Sequence, residues 1–358
     1  MQRGLGTVRQ RWARVGVAML VGAALLGDGL AQASSPEHTP LLTFIANSRT
    51  LHPSVEIAGV DGSRPRRLGA GMTALVSPSG SSVAVVASVG PQSNSSSQLL
   101  LYSQHAGPAR KLLREHGYLE LIGWSRDSKL VLAFASGGDE TGPLMIVNVA
   151  NGRSTVLARG LVEGASFAPH DSYDVVYGLA KSLRVGSQVN LFVKLASGGP
   201  SVQITHDGAS SDPIWGPRSI VFVRARSRGS QEAPINQLWS ISPNGSGARQ
   251  LTHMSVGPLV EGLVPTAISA DGRHLLADFE GTDTSAAWTV DLSQPSVSPR
   301  PLNGIRDGNI ADAISRDGTA VLLTNGFEGN ATSVEAVPWG GGRPTVLAGH
   351  GADASWNR

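Results

Sequence analysis

The sequence predicts an all-β fold, a seven-bladed β-propeller closed by pairing of the C-terminal strand with the N-terminal blade. Three observations predict it. A hinge pattern recurs seven times at the spacing that four-stranded blades require. An apolar run of strand length follows each hinge but the last. The repeats open on three strands and end on one, so the two ends together supply one complete blade.

The hinge pattern is a small or polar residue, an apolar or Trp residue, a short turn and then an apolar run. Its copies include Ile122-Gly123-Trp124-Ser125-Arg126-Asp127, Ala267-Ile268-Ser269-Ala270-Asp271-Gly272 and Ala313-Ile314-Ser315-Arg316-Asp317-Gly318. Equivalent hinge positions fall at 77, 125, 168, 216, 269, 315 and 357. After the hinges come the second strands, at 83–87, 130–135, 174–179, 219–223, 274–279 and 320–324. These runs are rich in Val, Leu and Phe, as suits strands buried on both faces. Asp-Gly at 271–272 and 317–318 supplies the positive φ of a tight hairpin. Third strands are expected at 144–149 and 238–242, each before an Asn-Gly turn, and a short fourth strand at 249–252 leads into the next copy.

Residues 41–46, 55–60 and 65–68 read as strands two, three and four of a blade without its first strand. Residues 353–357 read as a first strand with nothing after it. Pairing the two fragments closes the ring and removes the open edges of the sheet.

The Trp-Ser-Pro-Asp-Gly-type hinge, recognisable at 124–128, 269–272 and 315–318, resembles that of the TolB-like, WD-repeat-like β-propeller family. The resemblance extends over nearly all of the chain after residue 40. It implies a propeller that works outside the cytoplasm by binding an envelope protein. The propeller is assigned to residues 41–358, after a short linker at 34–40.

Residues 1–33 read as a signal peptide. Arg3, Arg9, Arg11 and Arg14 precede the apolar run 15–26, and Ala31-Gln32-Ala33 fits a cleavage site before Ser34. Twelve apolar residues are too few to span a bilayer, which needs about 20. Export to the periplasm or the extracellular space is therefore expected, with no transmembrane segment in the mature protein. The export segment holds four Arg and one Asp, a net of +3 against +2 for the whole chain, so the remainder is near −1. That balance carries no footprint for nucleic acid. The chain has no cysteine, which excludes disulfides, thiolate metal sites and a cysteine nucleophile.

First-to-second and third-to-fourth turns lie on one face of a propeller, second-to-third and fourth-to-first connections on the other. The longest connections, 88–97, 136–143, 224–234 and 254–264, belong to the second set, and loops grouped on one side of a repeat protein mark its binding face. Acids stand at or beside the starts of five first strands, at the mouth of the central channel on that face: Glu120, Glu163, Asp212, Asp312 and Asp353. They form the candidate ligand-binding set. Asp212, Asp312 and Asp353 could together hold Ca²⁺ or another divalent cation through carboxylate oxygens, or attract a cationic ligand. Solvated acids lining a wet channel are the plainer reading.

Signatures of an enzyme are missing. Gly164-Ala165-Ser166-Phe167-Ala168 lacks the last Gly of a nucleophile elbow, and no H-E-x-x-H occurs. His116, His206, His253 and His350 fall near fourth-to-first connections, where they could converge on a metal or simply be solvated. Trp124, Trp215 and Trp356 repeat at one hinge position and are expected in the core, as are Trp239 and Trp288 on third strands. Asn94, Asn244 and Asn330 stand in glycosylation-type triplets. The expected function is non-enzymatic recognition of a protein or envelope ligand by a monomer with no cofactor. The alternative is a metal-centred lyase or hydrolase acting on sugars or lactones at the channel mouth.

Overall fold

The structure, a computed structural model, describes residues 40–357 apart from 51, 91–95, 106, 138–139, 171, 181–187, 228–233, 282–284, 295–296, 303–307 and 327–331. The expected signal peptide, Asn94 and Asn330 lie outside the described residues. Every element among the described residues is a strand, and no helix among them is long and apolar enough to cross a membrane.

The strands form successive antiparallel meanders. β1 (Leu41–Ala46), β2 (Ser54–Gly59) and β3 (Arg66–Ala70) come first. β4 (Thr73–Val76), β5 (Ser82–Val89), β6 (Ser96–Ser103) and β7 (Arg110–His116) follow. β8 (Tyr118–Trp124), β9 (Leu130–Ser136), β10 (Gly142–Asn148) and the first half of β11 (Ser154–Phe167) make the next. The second half of β11 leads β12 (Val175–Ala180), β13 (Val189–Lys194) and β14 (Val202–Gln203). Then come β15 (Ser210–Trp215), β16 (Ile220–Arg226), β17 (Ile235–Ile241) and β18 (Arg249–Gln250). β19 (Val260–Ile268), β20 (His274–Gly281), β21 (Ser285–Asp291) and β22 (Arg300–Pro301) form the next. β23 (Asn309–Ile314), β24 (Ala320–Asn325), β25 (Ser333–Pro338) and β26 (Thr345–Ala348) form the last full meander. The final strand, β27 (Gly351–Trp356), pairs antiparallel with β1, so that sheet runs β27-β1-β2-β3.

The core lies between meanders. Leu75, Val86 and Leu99 of one meander pack on Leu121, Trp124 and Val131 of the next. Val176 and Leu191 meet Trp215 and Phe222, and Val221 and Leu238 meet Leu263 and Leu275. Leu322 and Val334 of the last full meander meet Leu42, Phe44 and Trp356 of the N-terminal sheet. Ile45 and Ile57 on the opposite side of that sheet meet Val83 and Val85. Sheets packed on both faces explain why the second strands are continuous apolar runs rather than alternating ones.

The repeated Ser and Asp have one structural task. At each of three hinges the Ser hydroxyl donates to the Asp two residues on, at 2.6–2.8 Å, in the pairs Ser125–Asp127, Ser269–Asp271 and Ser315–Asp317. The same Ser oxygen accepts the backbone N–H that opens the second strand, from Leu130, His274 or Ala320, at 2.9 Å. These side-chain bonds give the backbone a turn conformation in place of a continued strand. Neighbouring hinges are also tied together. Tyr173 donates its hydroxyl to Asp127, Ser79 N–H to Ser128 Oγ at 3.0 Å, and His274 Nδ1 lies 3.0 Å from Gly318 O.

Trp124, Trp215 and Trp356 are buried, as expected. Trp339 stacks on His274, with ring centroids 4.4 Å apart. The structure also corrects one expectation. The connection expected over 254–264 is half strand, because β19 already starts at Val260. His116 ends β7 and stands at the fourth-to-first connection, which there is the single residue Gly117.

Candidate functional site

Leading strands start where second strands end. Tyr118 pairs with Ser136, Ser210 with Arg224, Asn309 with Asn325 and Leu161 with Ala180. The acids near those starts therefore sit at the end of the meanders from which second-to-third connections leave.

Most of the acids occupy β-bulges. Glu163-Gly164 on β11 stand together opposite Gly178, Asp212-Pro213 on β15 opposite Phe222, and Asp353-Ala354 on β27 opposite Phe44. Asp312 is the extra residue between Ala311 and Ala313 on β23. A bulge adds one residue to a strand and re-aims the side chain at that point. Asp212 and Asp353 take φ values of 50° and 48°, a left-handed conformation that Asp tolerates better than most side chains. Glycine is required beside them. Gly164 has φ 78°, and a Cβ there would stand 2.7 Å from the Asp212 Cα, so two leading strands touch through backbone at this point.

The five acids form one connected series. Glu163 and Asp212 act on Glu120: burial first, then their charges, push the Glu120 carboxyl up to about 8. Tyr118, two residues before Glu120 and on the same face of β8, feels burial first, then Glu120 and Asp353, and all three push its hydroxyl up. Asp353 donates its backbone N–H to Thr324 Oγ1 at 3.0 Å, and Thr324 donates its hydroxyl to Asp312 Oδ2 at 2.8 Å. Glu120, Glu163, Asp212 and Asp353 are half-buried, whereas Asp312 is buried against Thr324.

Sequence reasoning missed three members of this region. Tyr118 shares the Glu120 face of β8 and feels its charge, and its place two residues away was the available signal. Thr324 joins two leading strands. Asp278, buried on β20, accepts the Ala311 N–H at 2.8 Å and lies 3.5 Å from the Thr266 hydroxyl, and it continues the polar series beneath β19 and β23. Neither Thr324 nor Asp278 had a local signal, since each reads as one polar residue in an apolar strand.

His116, His206, His253 and His350 are all exposed. Among the described residues, no group of three or more His, Asp or Glu is placed to hold a metal ion.

No family model matches the chain, and no curated protein matches it. Solved structures do. TolB from Acinetobacter baumannii superposes with a TM-score of 0.55 at 14% identity, over 90% of this chain and 67% of that one. The β-propeller domain of the Trilobed protease from Pyrococcus furiosus gives 0.61 at 12% identity, over 87% and 93%. An oligogalacturonate lyase in complex with manganese gives 0.54 at 14% identity, over 86% and 84%. The fold of this chain is therefore that of TolB-like and related β-propellers, an architecture that carries unrelated activities.

Proposed function

We propose that this chain is an exported, seven-bladed propeller with its ring closed by β27 beside β1, and that it binds a protein or envelope ligand on the face from which the second-to-third connections leave. Glu120, Glu163, Asp212, Asp312 and Asp353 line the channel mouth on that face, with Tyr118 beside them. Closure is supported by the β27–β1 pairing and by the packing of Leu322 and Val334 on Leu42 and Trp356.

One observation carries the binding reading: carboxylates from separate meanders meet at one place, where burial first, and then the charges of Glu163 and Asp212, hold Glu120 toward its protonated form. Like charges gathered at one mouth lose free energy by repulsion, and a cationic group regains it. A ligand that inserts a Lys or Arg side chain among Glu163, Asp212 and Asp353 would be held by charge and by the flat ring of Tyr118. Its arrival would lower the Glu120 pKa and release a proton.

The test is cross-linking in the intact envelope with the native chain and with a Glu163→Gln/Asp212→Asn/Asp353→Asn variant. A partner captured by the first and lost by the second is the expected result. Equal capture by both sets the mouth aside as the recognition site. In the same cells, a mature N-terminus at Ser34 tests export.

A further inference from the structure

The outer edges of the first meanders carry a charge bias that the channel mouth does not explain. Arg64, Arg66 and Arg67 lie on or just before β3, and Arg110, Lys111 and Arg114 lie on β7. Arg153, just before β11, and Arg159, on its outer half, continue the series. All of them except Arg66 are exposed. Over residues 61–70, 107–117 and 151–160, the only acids are Asp61 and Glu115. The other fourth strands, β14, β18, β22 and β26, hold only Arg249 and Arg300 between them.

Charged side chains guard sheet edges against pairing with other chains, but either sign serves that purpose. Here the cations outnumber the acids eight to two, with Asp61 beside Arg64 and Glu115 on β7 offsetting only part of the charge. Ion pairs found elsewhere among the described residues, Lys129–Asp127, Arg224–Asp207 and Arg273–Asp271, use none of these cations. Arg66 and Arg110 bond instead to uncharged carbonyls of the next meander. Arg66 Nη2 donates to Gln104 O at 2.6 Å, and Arg110 Nη1 donates to Ala150 O at 2.8 Å. Beside the second contact, a Cβ on Gly152 (φ 72°) would stand 2.8 Å from Leu112 O, so this turn lies directly on β7. These contacts join the three edges into one surface and fix where the charges stand. Arg66 Nη1 is buried and has no hydrogen-bond partner in the protein.

We propose that this belt binds a linear acidic polysaccharide. The charges are spread over successive edges rather than gathered in a pocket, so their partner must be extended and must repeat its negative charge. Seven of the eight cations are Arg, whose planar fork matches a carboxylate through two parallel bonds. On the ring proposed above, the edges follow a convex wall. A flexible chain can follow that wall, whereas a flat bilayer would meet one edge at a time.

The full chain is tested for binding to polygalacturonate, with neutral dextran and phosphatidylglycerol vesicles as comparisons. Polygalacturonate should bind at low salt and be released at about 1 M salt, where the screening length is about 3 Å. An Arg67→Glu/Lys111→Glu/Arg114→Glu variant should lose about tenfold or more in affinity, while Arg218→Glu/Arg300→Glu/Arg343→Glu, with the same charge change elsewhere, should stay within about twofold. An Arg67→Ser/Lys111→Ser/Arg114→Ser variant reads the same loss without charge reversal if the first does not fold. Failure of the native chain to bind, equal loss in both glutamate variants, or preference for the vesicles would each overturn the proposal.

Discussion

Asn357 accepts the Leu41 backbone N–H on its Oδ1 at 2.7 Å and so clamps together two points of the chain that are 316 residues apart. The clamp sits at the end of the β27–β1 pairing. Next to it, Trp356 is 3% exposed and packs on Leu42 and Leu322.

Removing residues 353–358 should strip most of β27 from β1, leaving β1 paired only with β2, and lower the melting temperature sharply. Trp356→Ala alone should cost about 3–5 kcal/mol in chemical denaturation, because the site cannot refill so large a void. A truncated chain that melts at the native temperature would refute the closed ring.

Glu120 makes stability depend on alkali. Its folded pKa, pushed up to about 8, lies above its ordinary value, so the folded state binds the proton more tightly than the unfolded one. Stability should therefore fall as pH rises from the ordinary carboxyl range to about 8 and level off beyond it. Glu120→Gln should flatten this slope and raise the melting temperature at pH 9 relative to the native chain. Melting curves across that range decide the matter, and parallel curves for the two proteins would count against the mouth geometry.

Asp127 behaves oppositely. Burial raises its pKa, but hydrogen bonds from Tyr173, Lys129 and Ser125 outweigh that and hold it down at about 2. The contribution is present above the ordinary Asp value and is lost as pH falls through about 2. Tyr173→Phe should cost about 1 kcal/mol near neutral pH, since the pair is partly exposed, and nothing once Asp127 is protonated. Urea denaturation at neutral and strongly acid pH measures both arms.

Thr324 bridges two leading strands through a single hydroxyl. Thr324→Val keeps the shape but leaves Asp312 and the Asp353 N–H without it, at a cost of about 1–3 kcal/mol. Thr324→Ser should recover most of the loss, and equal stabilities for the Val and Ser variants would remove the bridge from the account.

What the sequence determined by itself is the order of strands and hinges. At the hinges that carry them, the Ser and Asp act on backbone within five residues, as in Ser315 with Asp317 and Ala320, so their signal is local. The apolar second strands were legible for the same reason, since burial on both faces leaves a continuous run. Only the tertiary structure decided how the acids meet. Glu120, Glu163 and Asp212 come from separate meanders, and the bulges that turn Glu163, Asp212 and Asp353 add one residue each to strands whose pattern looks unbroken in sequence. Tertiary structure likewise buried Asp312 against Thr324 and tied Arg66 of β3 and Arg110 of β7 to backbone carbonyls of the next meander. A turn is set by its own few residues, whereas the charge state and pairing of a side chain are set by neighbours that the chain brings together from tens of residues away.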